Sequence, residues 1–135
     1  KKTWTVKNSK IIPILCVGES MDEKSSGKAS EAVMKQIDES GINLMSLSPK
    51  IIAYEPIWAI GSGKTPTSDE IMNMHNKIHQ KFKSQNKSDD IKVLYGGSVN
   101  AKNVAQIFSI PGVDGALIGG ASLKKTQFIE ILEAS

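Results

Sequence analysis

Glu55 is the residue of this sequence whose type and position are best suited to acid–base chemistry. It directly follows an apolar and aromatic run, residues 51–54, and it precedes Pro56. A carboxylate that projects from the rim of an apolar wall is suited to act as a general base. A structural role, in an ion pair or as a cap on a loop, explains a single glutamate at such a position equally well.

The segment after Glu55 predicts a lid over a ligand. It has a proline at its start, an apolar centre and two glycines, and an apolar stretch outside a strand or helix is expected to cover something. The alternative is an ordinary surface loop whose apolar residues stay packed on the body of the protein. A P-loop is excluded because the segment lacks that motif's first glycine at the required spacing. This lid segment consists of Pro56, Ile57, Trp58, Ala59, Ile60, Gly61, Ser62, Gly63, Lys64, Thr65 and Pro66.

Two glycine turns predict a phosphate site. Residues 96–98 read Gly-Gly-Ser and residues 119–122 read Gly-Gly-Ala-Ser. Glycine lets backbone N–H groups approach an anion closely, and the N-terminus of a following helix favours negative charge. Either pair alone is better explained as a tight turn, but two pairs after consecutive predicted strands favour a ligand site.

Four apolar runs that predict parallel strands precede these residues. The strands are predicted at residues 11–18, 49–55, 91–95 and 113–118, each as a buried run. The candidate chemical residues all follow the strand ends, and parallel strands bring their carboxyl ends to one edge of a sheet. The strand starts carry nothing comparable.

Amphipathic stretches that predict helices alternate with the strands. One covers residues 30–40 with Gly41 as its stop, a second begins within residues 66–70, a third is short and capped by Asn100, and a fourth covers residues 124–133. The predicted inward positions are Ala32, Val33, Gln36, Ile37, Ile71, Met74, Ile78, Phe82, Val104, Ile107, Phe108, Phe128, Ile131 and Leu132. The resulting β-α-β-α-β-α-β-α order fits an open doubly wound sheet and half of a (β/α)8 barrel equally well.

The composition predicts an ordinary globular domain. The chain has 135 residues and a formal net charge of +3, and all 17 of its basic residues are lysine. Without arginine, bidentate contacts to bases or phosphates are lacking, so no nucleic-acid partner is expected. With Cys16 as its single cysteine, the chain is expected to have no internal disulfide and no cysteine-based metal site. No signal peptide or membrane span is visible, and a cytoplasmic location is expected.

The chain closely resembles the triosephosphate isomerase family. The matching strings are PILCVGE at residues 13–19, AYEPIWAIGSGKT at 53–65, LYGGSV at 94–99 and DGALIGGASL at 114–123, in the family's order and near its spacings. The resemblance implies an α/β fold that is half of a (β/α)8 TIM barrel, with four parallel strands alternating with helices. Residues 1–135 would be the carboxyl-terminal half of that single domain, and residues 1–10 the end of the preceding helix.

The resemblance also implies an activity and roles for individual residues. The activity is the interconversion of D-glyceraldehyde 3-phosphate and dihydroxyacetone phosphate in glycolysis and gluconeogenesis, an aldose–ketose isomerisation through an enediolate. A glutamate base and a closing loop are established properties of this family. Glu55 would be the base, and Glu19 and Cys16 would support it. Backbone N–H groups for the substrate phosphate would come from Gly61, Ser98, Gly119 and Gly120, and the lid latch would be Tyr95 and Ser98.

Departures from the family pattern limit what this chain is expected to do. The family's strand-one lysine and strand-four histidine have no counterpart, and neither do the first-half loops that form the family's dimer interface. The family's dimer interface implies that the full-length form is a homodimer. This chain carries only part of an active site and is expected to be nearly inactive without the missing amino-terminal half. No cofactor and no metal are expected. The alternatives are a non-catalytic phosphate-binding half-barrel and a self-associating fragment.

Two histidines one helical turn apart do not replace the missing histidine. His75 and His79 are predicted on the helix after the lid segment, far from the strand ends, and no third residue for a metal site accompanies them. His79 occupies a position where the family usually has an arginine that pairs with the aspartate matching Asp114. A pair between His79 and Asp114 is therefore expected, possible when His79 is protonated.

Overall fold

The computed structural model describes residues 11–42, 50–60, 64–84 and 90–134. Its strands are β1 (Ile14–Val17), β2 (Lys50–Tyr54), β3 (Ile91–Tyr95) and β4 (Gly115–Ala116). Its α-helices are α1 (Met21–Ser25), α2 (Ala29–Ser40), α3 (Ser68–Lys83), α4 (Val104–Phe108) and α5 (Lys125–Glu133). The helix end predicted at residues 1–10 lies outside the described residues. No helix in the described ranges is both long and apolar enough to cross a membrane.

The strands form one parallel sheet in the order β1-β2-β3-β4. This confirms the predicted fold of four parallel strands alternating with helices. Helix α2 packs on β1 and α3 packs on β3, so each covers the sheet near a strand that it adjoins in sequence. The central strand β2 is the most deeply buried part of the sheet, with Ile52, Ala53 and Tyr54 almost wholly removed from solvent.

The two outer strands differ from their predictions. Residues 11–18 were expected to form a buried strand, but Ile11, Ile12 and Ile14 are 67%, 60% and 44% exposed. Among the described residues β1 pairs only with β2, so no described strand covers its outer edge. The fourth strand was expected at residues 113–118 and covers only Gly115–Ala116, because it too has one described neighbour. Backbone hydrogen bonds nevertheless continue on both sides of it, from Asp114 to Val93 and from Leu117 to Tyr95, each of 2.9 Å.

The helix predictions are closest to the structure where a capping residue and an apolar stripe both indicate the same helix. Helix α2 ends at Gly41, whose φ of 72° is the left-handed conformation that glycine adopts without strain. Helix α3 begins with a capping box in which the Thr67 hydroxyl accepts from the Glu70 backbone and the Glu70 carboxylate accepts from the Thr67 backbone. The predicted stripe on α3 is buried in the core, comprising Ile71, Met74, Ile78 and Phe82.

The last two helices differ from their predictions. The short helix begins after Asn103 rather than Asn100, whose side chain instead accepts from the Lys102 backbone and forms a turn. In α5, Ile131 is buried and Phe128 is half-buried, but Leu132, predicted to face inward, is 55% exposed. Leu132 follows the core residue Ile131 and lies about 100° further round the helix, so it is turned away from the face that packs on the core.

The carbonyl of Gly112 connects both histidines of α3 to the loop before β4. His75 Nδ1 lies 3.0 Å and His79 Nε2 lies 3.1 Å from this oxygen. His79 Nε2 also lies 3.2 Å from Asp114 Oδ2, so the expected pair is present.

His75 is a buried neutral histidine. It is fully removed from solvent, its Nε2 has no hydrogen-bond partner among the described residues, and the Tyr54 ring packs edge-on at 5.8 Å between centroids. Burial lowers the pKa of His75 to about 4, although the hydrogen bond to Gly112 opposes the shift. The folded chain therefore resists protonation of this ring.

We predict that the chain loses stability between about pH 6.5 and about pH 4 because of His75. In this range the unfolded state binds a proton at His75 and the folded state does not, so the free energy of unfolding falls as the pH falls. The expected loss is about 3 kcal/mol, since each pKa unit corresponds to ~1.4 kcal/mol. Urea unfolding of the parent and of His75→Phe at several pH values measures it.

His75→Phe should remove most of this slope of the free energy of unfolding against pH, because the phenyl ring fills the same apolar site and His79 still contacts the Gly112 carbonyl. His79→Gln is the control and should keep the slope. An equal slope in the parent and His75→Phe would contradict the assignment to His75.

Candidate active site

The candidate site is a cleft at the carboxyl ends of the strands, with a volume of about 660 Å³. Its lining comes from the segments that follow β2, β3 and β4, and from the start of α5. Strand register explains this meeting, because Val17, Tyr54, Tyr95 and Ala116 lie side by side across the sheet. The residue after each of these positions therefore lies at the same edge.

Glu55 lies between two glycines that let it fit. Its backbone N–H donates to the Val17 carbonyl at 2.7 Å, so the strand pairing continues up to this residue. A Cβ atom on Gly18 would overlap the Glu55 carbonyl, and one on Gly96 would overlap the Glu55 side chain. Close approach of the Gly18 and Gly96 backbones therefore holds Glu55 at the rim of the cleft, half-buried.

Cys16, on the neighbouring strand, contacts Glu55. Partial desolvation, the hydrogen bond to Glu55 and the charge of Glu55, in that order, raise the pKa of the Cys16 thiol to about 11. The thiol is exposed, and its raised pKa keeps it protonated at neutral pH. The structure thus brings Cys16 to Glu55, as the resemblance implied.

The described side-chain hydrogen bonds of Glu19 lead to Trp58 and Tyr54, and none of them reaches Glu55. Glu19 is buried, and its Oε1 accepts from Trp58 Nε1 at 2.7 Å and from the Tyr54 hydroxyl at 3.1 Å. Burial, followed by the charge of Glu19, raises the pKa of the Tyr54 hydroxyl, which remains the donor. Glu19 therefore holds the beginning of the lid segment rather than the carboxylate of Glu55.

The lid segment has two described ends. Its beginning forms a 3₁₀ turn, Ile57–Ala59, in which Ala59 is buried while Ile57 and the following Ile60 expose much of their side chains. Ile60 lines the cleft. At the other end, Lys64 and Thr65 are exposed and Pro66 is buried. The predicted residues Gly61, Ser62 and Gly63 lie outside the described residues.

The two glycine turns meet in the cleft as predicted. Ser98, Gly119 and Gly120 are exposed and line it, and a Cβ atom on either of the last two would meet nothing within 4 Å. The turn after β3 is held by Asn103, whose side-chain amide donates to the Ser98 carbonyl at 2.9 Å. Backbone groups on these turns are therefore open to a bound molecule.

Tyr95 and Ser98, the predicted latch, lie on opposite sides of the turn after β3. The Tyr95 ring is fully buried against Gly97, and burial raises the pKa of its hydroxyl to about 12. That hydroxyl has no hydrogen-bond partner among the described residues. Tyr95 lines a second cavity of about 120 Å³ together with Thr65 and Pro66, so it lies at the far end of the lid segment.

Lys124 is a cleft residue that sequence reasoning missed. It directly precedes α5 and lines the cleft, where it is the only lysine among the described lining residues. The signal was present in the sequence, since Lys124 follows the second glycine turn closely, but a lysine before a helix is usually on a solvated surface. The described ranges contain no group of three or more histidine, cysteine, aspartate or glutamate side chains that could hold a metal ion.

Fold and site together define a class: an α/β protein whose parallel strands direct a glutamate and two glycine turns into one cleft at their carboxyl ends. A family model described as triosephosphate isomerase matches residues 1–135. The chain belongs to the triosephosphate isomerase family, and its four parallel strands with their helices correspond to about half of that family's barrel.

Individual relatives agree with this assignment. A triosephosphate isomerase of Neisseria meningitidis is 45% identical over 137 residues, which cover 100% of this chain and 53% of the relative. One of Borreliella burgdorferi is 49% identical over 125 residues, covering 88% of this chain and 49% of the relative. One of Hahella chejuensis is 42% identical over 129 residues, which cover 94% of this chain and 52% of the relative. The chain thus spans about half the length of these relatives.

We predict that Glu55→Gln makes Cys16 more reactive. Removing the charge lowers the thiol pKa from about 11 towards its ordinary value, although the part due to desolvation remains. Each unit of decrease raises the thiolate fraction at pH 8 about tenfold, and the thiolate is the reacting form. The rate of the single cysteine with an aromatic disulfide reagent between pH 7 and pH 10 measures the change.

Glu31→Gln, an exposed change on α2, is the control and should leave the rate unaltered. Identical pH profiles for Glu55→Gln and the parent would contradict the contact between Glu55 and Cys16.

Proposed function

We propose that residues 1–135 are the carboxyl-terminal half of a triosephosphate isomerase and carry its base and its phosphate-binding edge. The reaction interconverts D-glyceraldehyde 3-phosphate and dihydroxyacetone phosphate. The single observation that supports this best is that Glu55 and both glycine turns line one cleft. Membership in the family supplies the choice of substrate.

Glu55 is proposed as the base that moves the proton. Its carboxylate takes a proton from the carbon next to the carbonyl group, which leaves an enediolate, and returns it to the neighbouring carbon, while the hydroxyl proton passes from one oxygen to the other. The glycines on both sides of Glu55 hold the backbone at the rim, and Cys16 contacts the carboxylate. This confines the base to one region of the cleft, which favours a proton transfer between adjacent carbons.

The phosphate group is proposed to bind at the two glycine turns. Backbone N–H groups of Ser98, Gly119 and Gly120 are candidates for its partners, and Gly61 is proposed as a fourth. Lys124 adds a positive charge at the same cleft. These N–H groups and one cation hold the phosphate dianion at this end of the cleft. The carbon atoms of the substrate then extend towards Glu55.

The lid segment is proposed to close over the bound substrate and exclude water. Trp58 anchors its first end on the buried Glu19. At the second end, the buried Tyr95 hydroxyl lacks a partner among the described residues, so a donor or acceptor from the lid segment can satisfy it. Tyr95 and Ser98 remain the proposed latch.

The remaining half of the active site is proposed to come from the amino-terminal half of the domain. No histidine or arginine stands among the described lining of the cleft, so these residues supply no neutral imidazole or guanidinium to polarise the carbonyl. Losing one such donor typically costs about 10²–10³ in rate. The outer edge of β1, where the Ile14 side chain is exposed, is a proposed contact for the missing half. The proposal also includes a homodimeric full-length form and a cytoplasmic location.

A second candidate function is a phosphate-binding half-barrel without turnover. The observation that favours it is the same composition of the cleft, which has anion-binding turns and a carboxylate but no polarising group in its described part. A self-associating fragment is the third candidate, supported by the exposed Ile14 on the edge strand β1 and the exposed Ile11 and Ile12 shortly before it.

We predict negligible isomerase turnover for the chain alone and turnover that depends on Glu55 when a first-half polypeptide of the family is added. Glu55→Gln, purified in the same way, should lower the restored rate by at least about 10³, because the base is lost. A coupled assay in both directions measures the rates. Equal rates for the parent and Glu55→Gln under all conditions would contradict the assignment of the base.

We predict that Lys124→Gln weakens the binding of inorganic phosphate by about fivefold, a typical effect of one partly screened charge. Lys125→Gln is the matched control, since Lys125 is the next residue, is exposed and does not line the cleft. Calorimetric titration at low and moderate salt measures both. Equal affinities for the two variants would remove Lys124 from the site, and no binding by the parent would count against a phosphate site in this chain.

A further inference from the structure

The indole of Trp58 lies between a buried carboxylate and a surface cation. Its Nε1 donates to Glu19 Oε1 at 2.7 Å, and the Lys24 ammonium lies 3.4 Å from the ring centroid. An ammonium over an indole face is attracted by the negative charge of the ring face. Trp58 is therefore held at its edge by Glu19 and at its face by Lys24.

The same ammonium reaches the helix that follows the lid segment. Lys24 Nζ lies 2.9 Å from Glu70 Oε1, and the other oxygen of Glu70 accepts from the Thr67 backbone N–H at 2.8 Å. Lys24 is the largest cause of the lowered pKa of the Glu70 carboxyl. Through Glu70, Lys24 thus contacts the first turn of α3, directly after residue 66, where the lid segment ends.

We propose that Lys24 is a positioning residue that connects the two ends of the lid segment, holding Trp58 at the first end and the Thr67–Glu70 cap at the second. This proposal rests on the proposed function, because it assumes that residues 56–66 act as a lid. It assigns to α1 a role at a segment that lies far from it in sequence. Movement of Trp58 away from this position breaks its contact with the cation.

A purely structural role for Lys24 explains the contacts less well. Helix α1 has its own capping box between Ser20 and Glu23, which does not involve Lys24. The ion pair is also partly exposed, with 30% and 43% of the two side chains accessible, so it contributes little to global stability. Loss of Lys24 is therefore expected to free Trp58 while the fold persists.

The test measures how easily acrylamide quenches the fluorescence of Trp58 in the full chain. The chain has two tryptophans, Trp4 and Trp58, so the Trp58 signal is obtained in a Trp4→Phe background and, independently, as the difference between the parent and Trp58→Phe. Lys24→Met keeps the apolar stem but removes the charge. We expect the quenching constant of Lys24→Met to be about three times that of the parent, because one cation–π contact and one exposed ion pair are lost.

Two further variants make the result specific. Lys24→Arg should restore the parental value, because a guanidinium stacks on indole and pairs with a carboxylate. Lys35→Met is the matched control, since Lys35 forms an exposed pair with Glu39 at 3.8 Å on α2 and does not take part in either Lys24 contact. Raising the salt concentration should increase quenching in the parent and leave Lys24→Met almost unchanged, because salt screens the pair with Glu70.

The outcomes separate this proposal from the proposed function. Equal quenching in Lys24→Met and Lys35→Met, at parental helix content, would overturn the role of Lys24. Glycerol 3-phosphate, a three-carbon phosphate that cannot isomerise, is then added. If it reduces quenching in the parent but less in Lys24→Met, both proposals gain support. If the parent does not respond to it, the ligand assignment fails, while the comparison of the lysine variants still decides the role of Lys24.

Discussion

The parallel register of β1, β2 and β3 is the constraint on which the whole site depends. Val17, Tyr54 and Tyr95 lie in one row across the sheet, so the residue that follows each of them lies at the same edge. A shift of β2 by one residue would turn its side chains to the other face of the sheet and remove Glu55 from the cleft. The burial of Ile52 and Tyr54 opposes such a shift, and the core thereby determines where the base lies.

Close backbone approach at this edge requires residues without side chains. Gly18 and Gly96 flank Glu55 in space, and a Cβ atom on either one would overlap it. The strands can therefore approach each other up to the rim, and the carboxylate keeps a limited range of positions. The same geometry brings the exposed thiol of Cys16 to the carboxylate, which explains why Glu55 contributes to the raised pKa of that thiol.

Two buried polar side chains, Glu19 and His75, each have a specific partner through one of their polar atoms. Glu19 is buried but accepts from Trp58 and Tyr54, and His75 is buried and neutral with its Nδ1 at the Gly112 carbonyl. Such groups cost stability unless they are paired, so their partners are strongly preferred. Glu19 thereby holds the start of the lid segment, and Lys24 completes the same arrangement from the surface.

The sequence by itself determined the order of the strands and of helices α2 to α5, but not the short helix α1 (Met21–Ser25), and it determined the residues at the strand ends. Continuous apolar runs, the Thr67–Glu70 cap and Gly41 act locally, within a few residues, and therefore can be recognised without a structure. Only the tertiary structure decided that Glu19 binds Trp58, and that Lys24 and Lys124 reach the lid segment and the cleft. These contacts join residues distant in sequence through side-chain packing, and no local pattern encodes which distant groups will meet.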